Sequence, residues 1–217
     1  MEMFFAFASF LIAVSAFIFG AAKLFNKKKP LYLQLFVCAA GCFAIEQLAY
    51  AVNVWCSVTA MVSVDMLGIF GCNFFLLSAN YGTLDRIVDD GRGTGKARKL
   101  AFLAPALMAV LSALVFFAWK DKNLFCAVTC LIVLLPALPA SYFNLKHILL
   151  PIDPFAFLRA TKACNVSALV FYFLTAAYGF CLAAASLPVI GVLSVLLSLS
   201  AFALALCAVK GAERWGI

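Results

Sequence analysis

The chain has 217 residues, is 67% hydrophobic and 12% charged, and carries 16 Lys and Arg against 9 Asp and Glu, with a mean hydropathy of +1.11. A water-soluble domain of this size lacks the polar side chains to cover such a surface, so the composition excludes an ordinary soluble protein and points to lipid. The formal charge of +7 does not argue for nucleic acid, because the basic residues flank apolar segments instead of interleaving with aromatics in one patch.

In chain order, apolar segments cover residues 3–25, 31–55, 59–83, 100–119, 124–145, 163–185 and 189–209. About 20 helical residues cross a hydrocarbon layer ~30 Å thick, so each segment is long enough to span. The expectation is an all-α bundle of seven transmembrane helices in one integral membrane domain, with no soluble domain. The first segment lacks a basic stretch before it and a small-residue cleavage pattern after it, and Lys27, Lys28 and Lys29 follow it. It therefore reads as a retained helix and not a cleaved signal peptide. After the third segment, the joint from Asp85 to Lys99 contains Asp89-Asp90-Gly91-Arg92-Gly93-Thr94-Gly95, which offers no apolar face and is expected to be a mobile loop. Pro136 and Pro139 predict a kink in the fifth segment. The joint from His147 to Lys162 carries Pro151, Pro154, Phe155, Phe157 and Leu158, which suit a short segment resting on the headgroups.

The joint carrying Lys27 to Lys29, the joints Arg86 to Lys99 and Lys146 to Lys162, and the tail from Lys210 all fall on one side of such a bundle. With Lys23 they hold all the basic residues except Lys120 and Lys122. The positive-inside rule then places the N-terminus outside and the C-terminus in the cytoplasm. Seven helices in this orientation also admit a three-plus-one-plus-three repeat, for which the only internal signal is an Ala-Tyr pair shared by the second and sixth segments, Ala49-Tyr50 and Ala177-Tyr178. The nine cysteines lie mainly within apolar segments and form no C-x-x-C pair, so they read as small hydrophobes, with a Cys56–Cys126 bridge the one conceivable disulfide.

Chemistry must come from the few polar groups inside the segments. Glu46 lies 15 residues beyond Leu31 and Asp65 six residues beyond Thr59, depths of about 22 Å from the inner face and about 9 Å from the outer face. Both acids thus fall in the outer third, where antiparallel neighbours could bring them together to share a proton or receive a cation. An ionised acid near a helix centre costs on the order of 2.5–3.5 kcal/mol, so each should face the bundle, protonated or paired. Around them, Cys38, Cys42, Glu46, Tyr50 and Asn53 form a small and polar stripe at three- and four-residue steps, with Gln47 beside it. Asp65, Asn73 and Asn80 fall near one face of the third segment, with Gly68 permitting close backbone approach, and Asn165, Tyr172 and Thr175 add polar groups from the sixth. The expected ion- or substrate-binding residues are Glu46, Asp65, Asn73, Gln47, Tyr50, Asn80 and Tyr172. Asn, Thr and Tyr at such positions also serve simply to join helices by hydrogen bonds.

The topology is similar to that of retinal proteins, but the only lysine of the last segment, Lys210, lies at its inner end, away from a Schiff-base position. Asp85-Arg86 resembles part of a G-protein-coupled receptor signature, but the seventh segment has no Asn-Pro motif, and the pair reads as an interfacial charge pair. The arrangement is also similar to SWEET sugar exporters and PnuC carriers, though the Pro-Gln motif of the former is absent. Asp90-Gly91 with Ala97-Arg98 resembles the start of a CDP-alcohol phosphotransferase motif, but the later acidic pair is missing. His147, Cys164 and Cys207 are the residues a membrane cysteine peptidase would use, yet a histidine at a helix end is ordinarily a topology or packing residue. No enzyme, cofactor or metal site is therefore expected. The expectation is a small-solute or ion-coupled carrier in a bacterial plasma membrane, with the lipid bilayer and a cationic solute or proton as partners. The alternative is a non-enzymatic receptor, adaptor or structural subunit that engages a protein through its basic cytoplasmic loops.

Overall fold

The computed structural model describes residues 2–25, 29–56, 66–85, 95–150, 156–184 and 187–214, which are helical almost throughout, with no strand among them. The helices are α1 (Glu2–Leu24), α2 (Leu31–Trp55), α3 (Leu67–Ser78), α4 (Gly95–Ala101), α5 (Leu103–Lys120), α6 (Leu124–Leu134), α7 (Ala137–Leu149), α8 (Ala156–Ala184) and α9 (Leu187–Arg214). A π-helical stretch, Ala79–Leu84, continues α3. Six helical stretches, counting α4 with α5 and α6 with α7, are long and apolar enough to cross a membrane. Of the third segment, residues 59–65 lie outside the described residues, and what is described is the shorter apolar helix Leu67–Tyr81.

The bundle carries large apolar side chains on its outside as well as in its core, and a set of polar ones within. Phe4, Leu11 and Ile18 of α1 and Phe102, Leu103, Leu107, Val110 and Phe117 along α5 point outward, while Glu46, Gln47, Asn73, Asn80, Asn144 and Asn165 are buried. A helical bundle with so extensive an apolar exterior is compatible with a multi-pass membrane protein.

Two breaks follow from proline. Pro136 has no N–H to offer the Ile132 carbonyl and its ring crowds that oxygen, so α6 ends at Leu134 and α7 begins at Ala137. Pro139 sits inside the first turn of α7, where its missing donor costs nothing. Pro105, in the first turn of α5, likewise separates α5 from α4 at Phe102. The mobile loop expected from Asp85 to Lys99 is thereby corrected at its C-terminal end. Lys96-Ala97-Arg98-Lys99-Leu100-Ala101 are strong helix formers, and α4 packs against α7 with Ala97 and Ala101 buried. The remainder of that loop, 86–94, and most of the expected headgroup segment, 151–155, lie outside the described residues. Phe157 and Leu158 belong to the first turn of α8, which starts seven residues before the apolar run.

Small side chains set the packing. On α1 the buried face is Ala6, Ser9, Ala13, Ala16, Gly20 and Leu24, a small-residue stripe that admits both α2 and α9. Ala16, Ala40 and Ala205 meet where these three helices converge. Beyond them, α2 packs on α3, and α3 with its π extension packs on α6 and α7. Helix α8 packs on α5, α7 and α9, and α5 lies against α6, α7 and α8. Phe43 of α2 meets Phe171 of α8 edge to face across the middle, with ring centroids 5.3 Å apart. At the turn between α5 and α6, Asn123 caps α6 by accepting the Cys126 N–H at 3.2 Å. There too, Trp119 Nε1 donates to the Gly179 carbonyl at 3.0 Å and Lys122 to the Ala183 carbonyl, tying the turn to the end of α8.

Candidate functional site: a buried polar interior

Glu46 is held on α2 at its tightest contact with α3. A Cβ on Gly68 would lie 2.4 Å from the Glu46 Cβ and 2.6 Å from the Cys42 carbonyl oxygen, and one on Gly71 would lie 3.0 Å from Cys42 Sγ. Only glycine allows the two backbones so close, and the carboxyl-bearing residue is left 3% exposed. The next residue, Gln47, points to the other side, where its Oε1 accepts a hydrogen bond from Ser194 of α9 at 2.8 Å. Tyr50, one turn further out, is half-buried. Asp65, expected to approach Glu46, lies outside the described residues.

Inward from Glu46 the polar groups are amides. Asn73 of α3 donates through Nδ2 to the Val133 carbonyl at 2.9 Å, fastening α3 to α6 three residues before the proline break. Asn80 lies in the π-helical stretch and donates to the Leu76 carbonyl of its own chain turn at 3.0 Å. Single π turns inside α-helices recur at functional sites, because the extra residue re-aims a side chain. On α7 Asn144 sits beside the Tyr172 hydroxyl of α8, and Asn165 lies on the same helix as Tyr172. All four asparagines and Tyr172 are fully buried. Thr175 returns its hydroxyl to the Phe171 carbonyl and Ser141 to Leu138, so these two are satisfied locally.

Where the π stretch and α7 end, the bundle is closed by charge. Asp85, just past the π stretch, receives Lys146 Nζ at 2.6 Å and lies 3.0 Å from His147 Nε2, both on α7. The lysine and histidine are almost entirely buried, and Asp85 keeps a quarter of its side chain exposed. Burial pushes the Asp85 carboxyl upward, but hydrogen bonds from His147 and Lys146 and their charges outweigh it and hold it below its ordinary value. Sequence reasoning treated Asp85 as paired with Arg86 and His147 as a packing residue. The structure joins Asp85 to two residues 61 and 62 positions away, while Arg86 lies outside the described residues. The signal that could have found it is that Asp85 and Lys146-His147 end two segments on the same side of the bundle.

Among the described residues no group of three or more His, Cys, Asp or Glu is placed to hold a metal ion. All nine cysteines are free thiols, Cys56 and Cys126 included. The sequence matches no protein-family model, no curated protein and no solved structure.

Proposed function

We propose that the chain is a multi-pass carrier for a small solute or ion, with Glu46 and Asp65 as the acids that take up a proton or cation. The observation that carries this reading is the buried polar interior itself. Helices α2, α3 with its π stretch, α7 and α8 all contribute polar groups to the inside of a bundle whose exterior is apolar. Placing Glu46 and several amides away from water costs several kcal/mol in total, a burden that function explains better than stability does. In this reading the chain crosses the membrane seven times, N-terminus outside and C-terminus in the cytoplasm. The packing order is what a three-plus-one-plus-three repeat needs: the second segment lies between the first and third, the sixth between the fifth and seventh, and the first meets the seventh as the third meets the fifth. The break at Pro136 and the π stretch are the points at which the fifth and third segments would shift during alternating access.

The test is thermal stabilisation of the purified protein across amines, nucleosides, sugars, amino acids and metal ions, followed by flux in proteoliposomes for any compound that shifts Tm. Coupled uptake is expected to vanish in Glu46→Gln and Asp65→Asn, and unchanged uptake in both variants would overturn the mechanism. The receptor or adaptor reading draws on a different observation, the exposed Lys96 and Lys99 on α4. It predicts a protein partner that is lost when residues 86–99 are replaced, with no solute flux.

A further inference from the structure

Helix-joining asparagines end on a neighbour, as Asn73 does on the Val133 carbonyl. Asn165 does not: both its side-chain atoms are buried without a hydrogen-bond partner, as are the Asn73 and Asn80 oxygens, while the buried Asn144 amide and Tyr172 hydroxyl have only each other. An unmade hydrogen bond of this kind costs about 1–3 kcal/mol per group, and several in one part of the bundle call for a partner that the fold does not itself supply. The elements that carry these residues also pack together. Asn144 faces Tyr172 across the α7–α8 contact. Asn165 precedes Tyr172 by seven residues, about two helical turns, and so lies on the same face of α8, roughly 10 Å nearer the cytoplasm. Asn80 lies in the π stretch, which packs against α7.

We propose that Asn144, Asn165, Tyr172 and Asn80 form the solute site of the carrier, separate from Glu46, and that it takes a small uncharged molecule bearing both hydrogen-bond donors and acceptors. This rests on the carrier reading above and narrows it. Carboxamides offer a donor and an acceptor each, and the tyrosine hydroxyl does both. None of the four supplies the charge that an ion would need in exchange for its hydration. The nearest formal charges at the inner end, Asp85, Lys146 and His147, are engaged with one another. Glu46 is on α2 with its Cβ against Gly68 of α3, and in this proposal it acts on the solute through coupling and not by direct contact.

The experiment measures Tm shifts of the full chain with ribose, uracil and myo-inositol as uncharged probes and choline, spermidine and succinate as charged ones. Wild type, Glu46→Gln, Asn144→Leu and Asn165→Leu are compared, each first shown to be monodisperse and cooperatively folded. An uncharged probe is expected to stabilise wild type and still to raise the Tm of Glu46→Gln, with affinity reduced about tenfold or more in either asparagine variant. Should an asparagine variant not fold, Asn144→Asp and Asn165→Asp keep the shape and should exchange the uncharged probe for choline or spermidine. Shifts confined to choline or spermidine and lost in Glu46→Gln would overturn the separate site while leaving the carrier reading intact. No shift with any uncharged probe would overturn the assigned solute class. Proton flux into proteoliposomes that depends on Glu46, measured in parallel, tells that failure from failure of the carrier reading itself.

Discussion

Asp85 is the side chain whose environment makes the most definite demand on solution behaviour. Its carboxyl is held below its ordinary value by Lys146 and His147, so the pair contributes fully to stability above the unfolded Asp pKa, about 3.9. That contribution is lost as pH falls through the lower, folded value. Melting curves of wild type should therefore lose Tm below about pH 4, whereas Asp85→Asn should be destabilised by about 1–3 kcal/mol at neutral pH, with a shallower acid limb. Parallel curves for the two proteins would disprove the linkage. Gly68 makes a second demand at this scale. Its missing Cβ would fall 2.4 Å from that of Glu46, so Gly68→Ala must part α2 from α3, at a cost of about 1–3 kcal/mol. Gly95→Ala, with nothing within 4 Å, should stay within about 0.5 kcal/mol of wild type by the same thermal measurement. Much of the interior was legible residue by residue: Glu46, Gln47, Asn73, Asn80 and Tyr172 stood out because polar groups in apolar runs are conspicuous, and all five are buried. Asn144, Lys146 and His147 were not, because a polar residue near the end of an apolar run looks the same whether it turns outward to headgroups or inward to a partner on another helix.

Among the elements, the third and fifth segments are where local chemistry decides geometry. Pro136 interrupts the fifth, and Asn73 crosses from the third to hold the Val133 carbonyl just before the break. Asn73→Leu keeps the bulk and removes that bond, so it should cost about 1–2 kcal/mol. Hydrogen exchange of amides around Leu134 to Ala137 should accelerate more than elsewhere, and uniform exchange across α6 and α7 would show that the bond is not what steadies the break. The proline break was readable in advance because a missing N–H is a property of one residue. The lower end of α8 and the helical part of the basic joint were not, since both are polar or mixed in sequence and depend on packing, α4 against α7 in particular. The π stretch had no sequence signal, because its glycine and asparagine also suit an ordinary helix end.

At the scale of the whole molecule, the apolar exterior and the distribution of basic residues make one prediction that spectroscopy is not needed to check. In cells, a membrane-impermeant maleimide should label the exposed Cys56 from outside, and Lys210→Cys only after the membrane is opened, in a background with the other cysteines removed. The reverse labelling would invert the orientation derived from the positive-inside count. The bundle itself was legible from hydropathy alone, whereas the order in which helices touch was not, since seven similar apolar stretches carry almost no information about which neighbours they select.

That order has a consequence in time. The stripe of Ala6, Ser9, Ala13, Ala16 and Gly20 on α1 is covered from one side by α2 and from the other by α9. A ribosome adds roughly 5–20 residues per second, so α1 must wait on the order of ten seconds or more for the second of its two neighbours. During that interval its small-residue face, with the Ser9 hydroxyl, lies open in the bilayer to other helices or to the insertion machinery. Synthesis stalled before α9 would leave this seam unclosed, and such chains should be the ones that membrane proteases and insertion chaperones select for removal.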